Sequence, residues 1–133
     1  MSTGYTSAFI TIAPDCPVHA GEVPGKTESV PGLQYRLLTE RPYTLTGDEL
    51  IFAVHLVHKN IGADADLDAV RRALFAKPHP CMRASMLPKR YGWGVHYDEA
   101  GRIALYGAET AAYQQHAARD DLKILAAMRN RKA

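Results

Sequence analysis

Tyr91-Gly-Trp-Gly-Val-His-Tyr97, the turn Asp98-Glu-Ala-Gly101 and the run Arg102-Ile-Ala-Leu-Tyr106 decide the reading of this fold. Aromatic and β-branched residues recur at every second position on either side of a short polar break, which predicts a β-hairpin. Gly101 supplies the left-handed position that closes such a turn. In the first strand Tyr91, Trp93, Val95 and Tyr97 share one face, while Gly92, Gly94 and His96 share the other. Two glycines on one face leave room for a helix, a second backbone or a ligand to approach.

Upstream, Phe9-Ile-Thr-Ile-Ala13 reads as another strand, with Phe9 and Ile10 on opposite faces. Prolines and glycines from Pro14 to Pro31 then mark a long irregular loop over about 14–30, of a length usually tied to function or mobility. Leu33, Leu37 and Leu38 predict a helix from about Pro31 to Glu40, which Pro42 stops. Thr46-Gly-Asp-Glu49 matches a capping box. The apolar run after it, Leu50 to Val57, permits either strand or helix, and the cap favours helix. Asp64 or Asp66 caps a further helix carrying the stripe Leu67, Val70, Leu74 and Phe75. From Glu109 the tail reads as two short helices, the second with Leu122, Leu125 and Met128 as its apolar stripe. Helices and strands are segregated along the chain. The expectation is therefore α+β, a small antiparallel sheet (the N-terminal strand plus hairpin 91–106) packed against several helices, in one domain over 1–133. No Gly-x-Gly-x-x-Gly or Gly-x(4)-Gly-Lys-Ser/Thr stretch points to a nucleotide-binding parallel sheet.

With 133 residues, 47% apolar and 23% charged, the chain can form one core without metal or disulfide staples. No run approaches the ~18 apolar residues of a membrane span. Met1-Ser-Thr-Gly-Tyr5 lacks the basic-then-apolar pattern of an export signal, which predicts a cytoplasmic protein with Cys16 and Cys81 as reduced thiols.

The net charge of +2 hides an asymmetry. Residues 1–70 carry four basic and nine acidic side chains, giving −5; residues 71–133 carry twelve and five, giving +7. No acidic residue stands between Asp68 and Asp98, and Lys123, Arg129, Arg131 and Lys132 form a second basic cluster. Such asymmetry suggests an anionic partner, or a basic half folded onto the acidic one.

The first candidate site is segment 77–94. Arg83 can fork onto a carboxylate or phosphate, Ser85 can donate, Lys89 and Arg90 add charge, and Trp93 can stack on a flat ligand. This predicts a small anionic ligand and leaves nucleic acid as a further partner. The alternative is structural: Tyr91 and Trp93 in the core, and Arg83 paired with Asp15 or Glu22. The second candidate is a small thiol enzyme using Cys81 with His96, since a thiolate needs a nearby cation or base. Asp15, Glu22 or His96 also serve as acid–base candidates. Cys16, His19, His79 and Cys81, and the pair His55 and His58, lack the spacing of a zinc site, so no metal and no cofactor is expected. A non-catalytic interaction protein is the third reading, because a packing surface leaves no chemical motif.

The chain also resembles a family of short bacterial proteins of unknown function. The resemblance rests on Phe9 to Ile12, Asp15-Cys16-Pro17, Gly21-Glu22-Val23-Pro24, Gln34-Tyr35, Pro42-Tyr43, Phe52 to His55, and above all Cys-x-Arg-x-Ser-x-Leu-x-Lys-Arg-Tyr-Gly-Trp-Gly over Cys81 to Gly94. It departs from the family pattern at His79 and Met86. The resemblance implies one domain from about Phe9 to Arg131 and supplies no activity.

Overall fold

The computed structural model describes residues 5–131; Met1–Gly4, on which the reading of the N-terminus partly rests, and Lys132 and Ala133 lie outside them. The elements run β1 (Ala8–Thr11), α1 (Val30–Glu40), α2 (Gly47–His58), α3 (Leu67–Phe75), a 3₁₀ turn (Met82–Ala84), α4 (Met86–Arg90), β2 (Trp93–Tyr97), β3 (Ile103–Gly107), α5 (Ala111–Ala117) and β4 (Lys123–Ala126). The fold is α+β, a four-stranded sheet in the order β3-β2-β1-β4 with helices on both faces.

The predicted hairpin is present. Val95 pairs with Leu105 and Tyr97 with Ile103, and Gly101 closes the turn at φ +80°. β2 starts at Trp93 rather than Tyr91, because Gly92 turns the chain at φ +78° and Tyr91 ends α4. β1 lies antiparallel to β2, Phe9 opposite His96.

The sheet is mixed, not antiparallel throughout, and the tail corrects the expectation of two helices. Residues 123–126 form β4, parallel to β1, with Ile124 beside Phe9. The spacing of Leu122, Leu125 and Met128 fits a helix, but backbone demand decides the outcome. Ala8, Phe9 and Ile10 are fully buried, and one edge of β1 would leave buried N–H and C=O groups unpaired without a partner strand. β4 supplies it, and flanking bonds Lys123 N–H to Ser7 C=O and Ala127 N–H to Thr11 C=O (both 2.9 Å) extend the match.

The ambiguous run Leu50–Val57 is helical. The capping box forms in full: Thr46 Oγ1 accepts from the Glu49 N–H at 3.3 Å, and Glu49 Oε1 accepts from the Thr46 N–H at 2.9 Å. Of the two proposed caps for α3, Asp66 is the one used. None of the residues of α3 is buried; the exposed Arg71 lays its guanidinium over the Phe75 ring, 5.0 Å from its centre.

One sheet face carries Ile10, Val95 and Tyr97 against Leu33, Leu38, Leu50 and Leu87 of α1, α2 and α4. Each fully buried leucine there contributes about 1.5–3 kcal/mol. The opposite face carries Phe9 against Tyr113 of α5 and Leu122. The long loop is irregular as expected, and it is tied down. Ala13 N–H bonds to the Pro88 carbonyl, Glu22 N–H to Tyr91, and Gly21 N–H to Glu109 Oε1 at 2.9 Å.

Candidate functional site

The second face of β2 builds a polar cluster. Gly94 permits it: a Cβ there would stand 2.5 Å from Phe9 Cζ and 2.6 Å from Tyr113 Cε2. Its missing side chain lets α5 lie close to the sheet, which brings His116 against His96 with ring centres 4.3 Å apart. Tyr106 of β3 closes in at 4.6 Å from His116, and Phe9 stacks on His116 at 5.4 Å.

Tyr43 completes the group from the connection between α1 and α2. It adopts a left-handed backbone, φ 56°, uncommon for a bulky residue and held by its neighbours. Its N–H bonds to the Ile103 carbonyl at 2.9 Å. Its hydroxyl lies 2.7 Å from His96 Nδ1 and 2.6 Å from the Tyr106 hydroxyl.

Beside this cluster opens a cleft of about 620 Å³, bounded by His96, the hairpin turn at Asp98 and Glu99, and Arg119 and Asp121 beyond α5. Arg119 forks onto Asp121, with Nε–Oδ1 2.9 Å and Nη2–Oδ2 2.7 Å. Its guanidinium holds the Asp121 carboxyl below the usual range. Asp98 Oδ1 accepts from the Ala100 and Arg102 amides.

His96 is only 7% exposed. Burial first, then repulsion of its protonated form by the neighbouring His116 and Arg119, push its pKa down to about 4. The ring is thus neutral near pH 7. Burial and the Tyr106 hydroxyl push Tyr43 up, so it remains a protonated donor. Tyr43 has one proton and two partners. When it donates to His96 Nδ1, the neutral ring carries its proton on Nε2. When it donates to Tyr106, His96 Nδ1–H donates to Tyr43 and Nε2 is a free base. The two orientations of the Tyr43 hydroxyl thus match the two tautomers of a ring that lines the cleft. His116 Nδ1 lies 2.8 Å from the Ala112 carbonyl.

The side chains expected at segment 77–94 take separate partners. Arg83 Nε donates to the Ala126 carbonyl at 2.8 Å rather than to Asp15 or Glu22. Ser85 is buried, caps α4 and donates to Gln34 Oε1 at 2.7 Å. Trp93 Nε1 donates to the Glu22 carbonyl at 2.8 Å, and its ring rests on Gly21 and Tyr35. Lys89 and Arg90 end α4, Arg90 exposed. Asp15 holds the tail through the Asn130 and Arg131 amides, each 3.0 Å away.

Cys81 and His96 are not hydrogen-bonded partners. Cys81 lines a cavity with Tyr97, whose side chain packs on the α1–α2 face, and its sulfur lies 3.4 Å from the Tyr5 hydroxyl. His96, one residue earlier on the strand, faces α5. Both cysteines are free thiols, Cys16 buried and Cys81 partly so. Among the described residues no cluster of three or more His, Cys, Asp or Glu could hold a metal ion. Nor is any helix among them long and apolar enough to cross a membrane.

Sequence reasoning named His96 but missed Tyr43, Tyr106 and His116. The available signal was the spacing Thr110, Tyr113, His116, which places a cap and two ring side chains along one face of α5.

Fold and site together define a small α+β protein with a mixed sheet and a polar cleft at its α5 face. The chain belongs to a family of unknown function, DUF6157, whose family model matches residues 1–133. No curated protein and no solved structure matches it.

Proposed function

We propose that the chain binds a small polar molecule in the cleft beside His96 and moves a proton to or from it. The observation that carries this reading is the bond chain from Tyr106 through Tyr43 to His96 Nδ1, at 2.6 and 2.7 Å, ending in a ring that lines the cleft. With Nδ1–H donated to the Tyr43 oxygen, the neutral imidazole presents an unprotonated Nε2 that takes a proton from the bound molecule, and the resulting imidazolium returns it from the same nitrogen. Asp98, Glu99 and Asp121 outnumber Arg119 around the cleft, which favours a neutral or cationic molecule over an anion.

The anionic-ligand reading of segment 77–94 keeps exposed Arg90 as its support. A ligand there would compete with the bonds that Arg83, Ser85 and Trp93 already make. The thiol reading rests on Cys81 alone, with Tyr5 as its neighbour.

A thermal-shift screen of uncharged, cationic and anionic metabolites on the wild type, Tyr43→Phe and Arg83→Lys separates these readings. The expected result is stabilisation by a neutral or cationic compound that Tyr43→Phe weakens and Arg83→Lys leaves intact. Stabilisation by anions alone, lost in Arg83→Lys, overturns the cleft reading.

A further inference from the structure

The run Leu50–Val57 is apolar at every position but His55. A helix that is apolar all round is ordinarily covered all round, and α2 is not. Within that run only Leu50 and Val54 are buried. Phe52, Ala53 and Leu56 keep part of their surface open, and Val57 is exposed.

At about 3.6 residues per turn, Phe52 and Leu56 fall on the far side of α2 from Leu50 and Val54. Glu49 stands three residues before Phe52, and Lys59 three residues after Leu56. The outer face thus reads Glu49, Phe52, Leu56, Lys59, in the alternating steps of three and four that make a seam between two helices. Both end groups are exposed, and neither has an ion-pair partner among the described residues. Glu49 spends Oε1 on the capping box, which leaves its other oxygen for a partner. α3 flanks this face through Arg71, whose guanidinium lies 5.4 Å from the Phe52 ring centre.

We infer that the outer face of α2 docks on α2 of a second copy of this chain, antiparallel about a two-fold axis. The face is its own complement when read backwards. With Phe52 against Leu56 of the partner subunit, Glu49 meets Lys59 of the partner subunit, and the two-fold axis makes each contact twice. A parallel pair would set Glu49 against Glu49 and Lys59 against Lys59, so charge fixes the direction. Antiparallel helices also bring opposite dipole ends together. A purely apolar ligand would leave the charged ends of the face unmatched. The seam lies on the α1–α2 side of the sheet and leaves the His96 cleft on the α5 side open.

Sedimentation equilibrium of the full chain over a concentration series tests this. The wild type should form a reversible dimer in the micromolar range. Leu56→Asp should be monomeric with an unaltered far-UV spectrum. Lys59→Glu changes an exposed side chain and turns both ion pairs into like-charge contacts, which should weaken the dimer about tenfold. Adding Glu49→Gln, which keeps the capping box and removes the repulsion, should recover most of that loss. A wild type that stays monomeric at its solubility limit overturns the inference. So does a dimer that Leu56→Asp leaves intact, or a Lys59→Glu variant that dimerises as tightly as wild type. A Lys59→Glu defect that Glu49→Gln does not relieve overturns it as well.

Discussion

Arg83 and Ala126 are joined across the sheet edge: Arg83 Nε donates to the Ala126 carbonyl at 2.8 Å, and two residues on the Met128 N–H returns a bond to the Arg83 carbonyl at 2.9 Å. The pair holds the end of β4, an edge strand whose outer side has no further strand among the described residues. Unpaired strand edges invite association with other chains, and Arg83 blunts this one. Arg83→Ala should lower stability by about 1 kcal/mol, the worth of one partly exposed charge-assisted bond. It should also speed amide exchange at Met128. Chemical denaturation with exchange NMR checks both; a variant with an unaltered midpoint and unaltered exchange at Met128 would show that the bond does not hold the strand.

His96 makes stability depend on pH. Its folded pKa of about 4 lies below the ordinary value of 6.5, so between those values the unfolded chain binds a proton that the native chain refuses. Protonation therefore favours unfolding, and stability falls as pH drops from about 6.5 towards 4. The size should be roughly 1–3 kcal/mol, below the full shift because the ring borders the solvent of the cleft. Denaturation midpoints across this range should fall more steeply for the wild type than for His96→Gln, which cannot titrate. Parallel curves would remove His96 as the cause.

Asp15 clamps the C-terminal tail. Its carboxylate accepts from the Asn130 N–H, the Asn130 side chain and the Arg131 N–H, and these donors hold its pKa below the usual value. A carboxyl with a depressed folded pKa stabilises above its unfolded value and loses that contribution as pH falls through the folded one. Asp15→Asn keeps the shape and removes the charge. It should accelerate amide exchange at Asn130 and Arg131 at neutral pH and leave the hairpin amides unchanged. Exchange rates at those two positions equal to wild type would refute the clamp.

Gly94 sets the separation of α5 from the sheet. Gly94→Ala places a methyl against the Phe9 and Tyr113 rings, both largely buried, and such overpacking costs about 1–3 kcal/mol. The His116 C2 proton should shift as its ring moves away from His96. A variant as stable as wild type, with an unchanged histidine spectrum, would mean that α5 adjusts freely.

The hairpin, the capping box and the alternation of Phe9 and Ile10 were legible because each depends on neighbours within a few residues. β4 was not, since its partner β1 lies more than a hundred residues away and Leu122, Leu125 and Met128 imitate a helical stripe. The site followed the same division. Sequence alternation assigned His96 to the glycine face of β2, correctly. Only tertiary folding brings Tyr43 and His116 to that face, and only tertiary folding sends Cys81 to the opposite one. Arg83, Ser85 and Trp93 resembled a ligand cradle because side chains that hold backbone carbonyls and helix ends are drawn from the same polar types that hold ligands.

Tyr97 offers the last test, because its hydroxyl sits fully buried without a hydrogen bond of good geometry. Its pKa is pushed upward by burial first and then by Cys81 and Tyr5, while the Met82 N–H pulls the other way, so the group is a neutral phenol at any ordinary pH. A buried hydroxyl that is poorly paired loses more hydration than its bonding returns. Tyr97→Phe removes the oxygen and keeps the ring, including its edge-on packing with Tyr5 at 5.4 Å. The variant should gain about 1 kcal/mol and melt roughly 3 °C higher. If Tyr97→Phe instead melts lower and amide exchange at Met82 speeds up, the Met82 N–H is a full partner of the hydroxyl and the cost is offset.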